Sequence, residues 1–274
     1  MCTALAASES GYYQYLKSCQ RPNKDEILSV AMQEIHDLHP CNDNYGVNRM
    51  QQALAQKNVR AGIRRIKRLM REKGWLHKPH RRPQKLTKVD PETQKNENLL
   101  KQNFHSREPY KILLTDITQI QCYDGKLYIS PILDCYNGEI LALQMDDNMK
   151  KELVMRTVEE AYKRYPIRNA VLHSDRGSQY TSDGFRCLLK DMDIQQSMSG
   201  VDHCYDNARM ESFFATLKKE LLYRLPTHQI TREEVKTIVF RYVFVYYNQM
   251  RVYTANPGGW PPAVYRRMNE FAAA

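Results

Sequence analysis

The chain has no Cys-x-x-Cys pair, and its seven cysteines are odd in number and irregularly spaced. This argues against a disulfide framework and a zinc ribbon, and reads as reduced thiols in a cytoplasmic compartment. His36, His39 and Cys41 come nearest to a zinc set, but a fourth ligand at a sensible spacing is missing. Long apolar runs are lacking too: none approaches the roughly 20 residues of a membrane-spanning helix. The opening MCTALAASESGYYQYL lacks the charged start and long apolar stretch of a secretory signal. Acidic residues are in deficit, 31 against 41 Lys and Arg, leaving a net charge of +10 and a pI near 9.2. Such a balance suits a polyanionic partner, although charge alone would equally suit an acidic membrane surface.

What is present divides the 274 residues into segments. Residues 1–21 read as an N-terminal segment. Residues 22–76 read as a small helical, helix-turn-helix-like unit. Ile27, Val30, Ala31, Ile35 and Leu38 mark one helix, Val47, Met50 and Leu54 a second, and Ile63, Ile66, Leu69 and Met70 a third that stops at Gly74. Arg60, Arg64, Arg65, Lys67, Arg68 and Arg71 surround the third apolar stripe, enough cations for a helix that contacts phosphates in a DNA groove. A merely solvated basic helix is the competing reading of the charge alone. Residues 77–108 are polar, basic at the start and broken by prolines, as an extended linker should be.

From residue 109 the pattern becomes mixed. Strands are expected near 110–121, 127–135 and 139–145, joined by Tyr-Asp-Gly and Tyr-Asn-Gly turns. A helix follows at about 150–165, then the Val171 strand, a helix at 182–192, a short strand near 194–198 and a helix starting near Asp206. Three acids stand out. Asp116 lies among apolar and β-branched strand residues, Asp175 ends the Val171 strand in a Gly/Ser/Gln loop, and Glu211 follows on a helix with 35 residues between it and Asp175. Converging carboxylates persist where a cation neutralises them, and oxygen donors without Cys or His favour magnesium or manganese. Two-metal phosphoryl transfer needs such a set. Asp134 also ends an apolar strand, but a tight turn at 122–125 would pair it near Leu113, facing away from Asp116. Asp202 and Asp206 are rivals for Glu211, yet both sit where Asp is usually a helix cap.

The stretches TDIT, HSDRGSQYTS and DNARMESFFATLKKEL resemble the catalytic core of insertion-sequence transposases of the OrfB kind, relatives of retroviral integrases with a D…D-35-E triad. ESGYYQYLK, YGVNRMQQAL, IRRIKRLMREKGW, YYNQMR and PPAVY extend the resemblance over most of the chain. It implies that Asp116, Asp175 and Glu211 are the catalytic, metal-binding acids, that two Mg2+ or Mn2+ ions are the cofactors, and that the fold is an α/β ribonuclease H-like mixed sheet flanked by helices. In that fold the first and fourth strands are neighbours, which would bring Asp116 and Asp175 together over a catalytic core of residues 109–224. The implied activity is DNA cleavage at an element's 3′ end followed by strand transfer, that is, DNA integration and recombination. A non-catalytic repressor derived from a transposase is the alternative. Implied partners are terminal inverted-repeat and target DNA, further copies of the chain on DNA, and an upstream frame joined by frameshifting. The implied location is the nucleoid of a bacterial cell.

Further DNA contacts are expected on the helix of Glu211. Lys218 lies two turns along the same face and Asn207 four residues before it, although Lys218 also reads as a solvated helix end. His173, two residues before Asp175, is a candidate to orient a phosphate or a metal-bound water, or else a satisfied half-buried histidine. Gln179 and Tyr180 are weaker DNA candidates. Residues 225–274 read as a C-terminal helix and tail, with Thr231 and Glu234 in capping-box spacing and a helix from Val235 to about Gln249. Tyr246, Tyr247, Asn248 and Arg251 match the family's YYN..R element, which makes Arg251 a further DNA candidate. The sequence departs from the family where Tyr253 stands for the usual His and Leu113 for the strand-one Trp.

Overall fold

The computed structural model describes residues 8–19, 24–76, 104, 106–199 and 207–273. The expected linker 77–108 thus lies largely outside the described residues, as do Asp202 and Asp206. The chain divides into two compact units, residues 1–79 and 80–274.

The first unit is all helical: α1 (Glu9–Cys19), α2 (Lys24–Asp37), α3 (Val47–Gln56) and α4 (Ile63–Glu72). The core is formed by Leu28, Met32 and Ile35 of α2, Met50 and Leu54 of α3, and Ile66, Leu69 and Met70 of α4. The expected stripe of α2 is corrected here. Ile27 and Val30 are each 55% exposed and Leu38 is 61% exposed, so the buried stripe is rotated onto Leu28, Met32 and Ile35, at i, i+4 and i+7. Gly74 ends α4 with φ +71°, a conformation that glycine adopts without strain.

The second unit is built on a six-stranded mixed sheet: β1 (Ile112–Thr115), β2 (Thr118–Cys122), β3 (Gly125–Asp134), β4 (Ile140–Asp146), β5 (Val171–Ser174) and β6 (Gln195–Met198). The single strand expected over 110–121 is broken at Asp116–Ile117. β1 pairs with the end of β3 and β2 with its start, and the gap falls opposite Ser130–Pro131. Proline cannot donate to a ladder, and the Pro131 carbonyl is instead taken by the Thr115 hydroxyl at 3.0 Å. Asp116 sits in that break. Antiparallel pairing joins β1, β2 and β4 to β3, while β5 runs parallel to both β1 and β6. This order, with the first strand beside the fourth of the expected five, is the ribonuclease H-like arrangement.

Helices α5 (Lys151–Arg164), α6 (Ser178–Thr181), α7 (Asp183–Asp191), α8 (Ala208–Glu220), α9 (Arg232–Arg241) and α10 (Pro262–Ala273) complete the unit. Leu113, Ile132, Leu141, Ala142, Leu172 and Met198 of the sheet pack with Val154, Val158 and Ala161 of α5 and Phe185 and Leu189 of α7. The helix that opens at the Thr231–Glu234 capping box passes into a π-helical stretch, Tyr242–Tyr247. The C-terminal residues are not a separate piece. The Asn248 amide donates to the Ile140 carbonyl at 2.9 Å and its Oδ1 accepts from the Ile140 N–H at 3.1 Å. Arg266 pairs with the buried Glu139 at 2.8 Å.

Candidate active site and nucleic-acid interface

Register brings the first two acids together. β1 and β5 pair as Ile112↔Val171, Leu113↔Leu172 and Leu114↔His173. Continued past the ladder, this register sets Asp116 opposite Asp175. Asp116 is half-buried, and its Oδ1 accepts from the Ile117 N–H at 2.7 Å. Its pKa is pushed up to about 7, first by burial and then by the Asp175 charge. Glu211 adds to the rise, while the Ile117 hydrogen bond and Lys218 oppose it. Glu211, exposed in the first turn of α8, is thus near enough to be felt by Asp116, and so is Lys218.

Asp175 is exposed, and its Oδ1 accepts from the Gly177 N–H at 2.9 Å. A Cβ on Gly177 would lie 2.7 Å from Gln179 Oε1 and 3.1 Å from Asp175 Oδ1, so a larger residue there would displace the Gln179 side chain. Among the described residues no three of His, Cys, Asp and Glu converge tightly enough to cage an ion. Like charges settle apart, and Asp116 and Asp175 each turn an oxygen to a nearby N–H. The donor set is nonetheless all carboxylate, the chemistry that suits a hard divalent ion.

Asp134 is a different kind of acid. It pairs with Leu113, as the tight turn predicts, and is fully buried, accepting from the Tyr110 and Tyr136 N–H groups at 2.9 Å each. Burial pushes it up to about 6 against those two bonds.

Several expected contacts are corrected. Arg251 is buried and bound through Nε and Nη2 to Glu220 at 2.8 Å each, so it is a core residue and not a DNA contact. Burial opposes its charge, and the Glu220 carboxylate more than offsets that. Asn207 is also buried, with both amide atoms unpartnered among the described residues. His173 is fully buried, with Nδ1 at 2.9 Å from Ser197 Oγ and Nε2 at 3.2 Å from Ser199 Oγ, so the satisfied-histidine reading is the one the geometry matches. Tyr180 is buried against Phe185. Gln179 lies in α6, just after Asp175, its amide donating to the Met149 carbonyl at 2.8 Å.

In the helical unit, Arg65 and Arg68 of α4 both bind Asp25 at the start of α2. Arg60, Arg64, Lys67 and Arg71 remain exposed. Arg64, Lys67 and Arg71, at i, i+3 and i+7, share one face of α4. Sequence reasoning also passed over Arg209, whose guanidinium donates to the carbonyls of Phe104 and Cys135. The available signal was a cation in the first turn of a helix, where the dipole disfavours it unless carbonyls receive it.

Fold and acid placement together define a ribonuclease H-like α/β core that follows a helical unit in the chain. Known families match the same divisions: an HTH-like domain over residues 22–83 and integrase core domains over 106–204 and 211–269. The chain is 32% identical to an insertion element IS600 protein of 31 kDa from Shigella sonnei, with 100% of each chain covered. It is also 32% identical to the transposase for insertion sequence element IS904 of Lactococcus lactis, covering 86% of this chain and 93% of that one. The catalytic core of HTLV-2 integrase, solved in complex with magnesium, is similar at 15% identity and a TM-score of 0.44, covering 58% of this chain and 98% of that one. The chain belongs to the insertion-sequence transposase family.

Proposed function

We propose that this protein is a DDE transposase, a polynucleotidyl transferase that cleaves the 3′ end of its insertion element and joins it to target DNA. The observation that carries this is the electrostatic meeting of Asp116 with Asp175 and Glu211, three acids from separate elements. Asp116, Asp175 and Glu211 would hold Mg2+ or Mn2+, which when bound activates the attacking water or 3′-hydroxyl and offsets charge on the leaving oxygen.

The chain's own residues do the rest. Asp116, with its pKa near 7, gives up a proton when a cation binds beside it. Lys218 supplies a positive charge at the edge of the acids, where a scissile phosphate approaches. Asp175 is held to its loop by Gly177, which leaves its other oxygen available to a ligand. Arg60, Arg64, Lys67 and Arg71 of the helical unit contribute the phosphate contacts that carry affinity.

The test is a gel assay of labelled element-end DNA with magnesium or manganese. Wild type is expected to cleave, and Glu211→Gln to lose cleavage by several orders of magnitude while binding the same DNA. Cleavage by Glu211→Gln near the wild-type rate would remove the triad assignment. Binding without cleavage by wild type under every metal and partner condition would identify a repressor.

A further inference from the structure

The helix that carries Glu211 is fastened at both ends by side chains outside the three-acid set. At its start, Arg209 donates to the Phe104 carbonyl at 2.7 Å and to the carbonyl of Cys135, the residue that follows β3. Burial disfavours its charge, and hydrogen bonding to the Tyr253 and Cys135 side chains opposes that. Tyr253 is itself fixed. Its ring covers Gly138 so closely that a Cβ there would come within 2.4 Å of Cζ, and it meets Tyr247 edge-on at 6.3 Å. Farther along α8, Phe213 meets Tyr247 edge-on at 5.1 Å. At the far end, Glu220 accepts from Arg251 twice at 2.8 Å and from the Tyr242 hydroxyl at 2.9 Å.

Residues 209, 213 and 220 are spaced by one and two helical turns, so a single side of α8 makes all these contacts. Glu211 and Lys218, also two turns apart, occupy another side. These partners from the C-terminal part lie between Tyr242 and Tyr253, and that stretch is pinned to the sheet through Asn248 and Ile140. The sheet therefore fixes this stretch, the stretch fixes α8, and α8 carries Glu211. None of these contacts is made by Asp116, Asp175 or Glu211.

We propose that Arg209 is a positioning residue for Glu211, and that the stretch Tyr242–Tyr253 is the frame that sets where this acid stands relative to Asp116 and Asp175. The proposal rests on the three-acid site above. A metal site tolerates little displacement of a ligand, and loss of a residue that orients one typically weakens the site about tenfold or more.

Wild type, Arg209→Lys, Tyr253→Phe and Glu211→Gln are compared as full chains. Each is measured for calorimetric Mn2+ affinity without DNA, for the Mn2+ dependence of end cleavage, and for the metal-free thermal midpoint. Arg209→Lys and Tyr253→Phe are expected to weaken calorimetric Mn2+ affinity about tenfold and to raise the half-maximal Mn2+ for cleavage by a similar factor. Cleavage should return toward wild type at saturating Mn2+. If Arg209→Lys fails to fold, Tyr253→Phe, which keeps the ring over Gly138, decides by the same criterion. Wild-type Mn2+ affinity and dependence in these variants, with or without a lowered midpoint, marks a structural role and overturns the proposal while Glu211→Gln is inactive. Wild-type cleavage by Glu211→Gln overturns the three-acid site instead, and with it the object being positioned.

Discussion

Asp116 stands opposite Asp175 across the parallel β1–β5 pair, two residues beyond the Leu114↔His173 partners. The folded protein holds Asp116 at a pKa of about 7, well above its ordinary 3.8. Between those values the folded chain binds a proton that the unfolded chain releases, so this contribution to stability is complete below about pH 4 and is lost as pH rises through 7. A cation competes for the same carboxylate, so its affinity should rise with pH over that interval. Thermal melts from pH 5 to 8 should show the metal-free midpoint falling, relative to Asp116→Asn, while the increment from Mn2+ grows. An increment independent of pH would show that Asp116 does not meet the cation.

Removing that strained acid should separate stability from activity. Asp116→Asn keeps the shape and relieves burial of charge and repulsion from Asp175. At pH 8 the metal-free variant is expected to melt a few degrees above wild type, to gain nothing from Mn2+, and to leave end DNA uncut. Mn2+ stabilisation equal to wild type would place the cation elsewhere.

Asp134 should behave in the opposite way. Asn at this buried position offers one oxygen to two N–H groups that now share a carboxylate, leaving a donor poorly met. A loss of about 1–3 kcal/mol on urea unfolding is expected, with the Mn2+ dependence of cleavage preserved. A changed Mn2+ dependence would bring Asp134 into the site.

The α4 cations divide into two groups with different tasks. Arg65 and Arg68 are engaged by Asp25, while Arg64, Lys67 and Arg71 face outward. Replacing the outward trio with glutamine should flatten the log–log salt dependence of DNA binding by about 2 to 3 units, each phosphate contact contributing roughly 0.9. Replacing Arg65 and Arg68 should act mainly on the stability of the helical unit. Anisotropy titrations of the full chain in stepped salt distinguish the two; an equal change in slope from both sets would show that the Asp25 pairs open on DNA.

Much of this arrangement was legible in the residues. Tyr-Asp-Gly and Tyr-Asn-Gly mark real hairpins, with Gly125 and Gly138 at positive φ, and the tight first turn fixes Leu113 against Asp134. The Thr231–Glu234 capping box forms as its spacing predicts. Such signals are local, and the residues that make them also satisfy them. The failures share a different cause. Periodicity reveals that α2 is a helix but does not say which stripe α3 and α4 will cover, and Leu28, Met32 and Ile35 are buried where Ile27 and Val30 looked as apt. Arg251 read as a DNA contact from its place in the YYN..R element, because its partner Glu220 lies 31 residues away. The break in the first strand depends on Pro131 of its neighbour, which no reading of residues 110–121 alone contains.

Asn248 meets Ile140 across 108 residues, and Arg266 meets Glu139 across 127. On the ribosome the chain emerges from its N-terminus, and compact units fold as they become complete. The helical unit has all of its core by Met70 and can close early. The edge of the sheet at Glu139–Ile140 must wait until residues 248–266 have emerged before its buried carboxylate and backbone groups are met. A nascent chain stalled before Arg251 therefore presents a finished basic module joined to an unfinished sheet, so that, during translation, the capacity to hold a polyanion precedes completion of the acid-bearing unit.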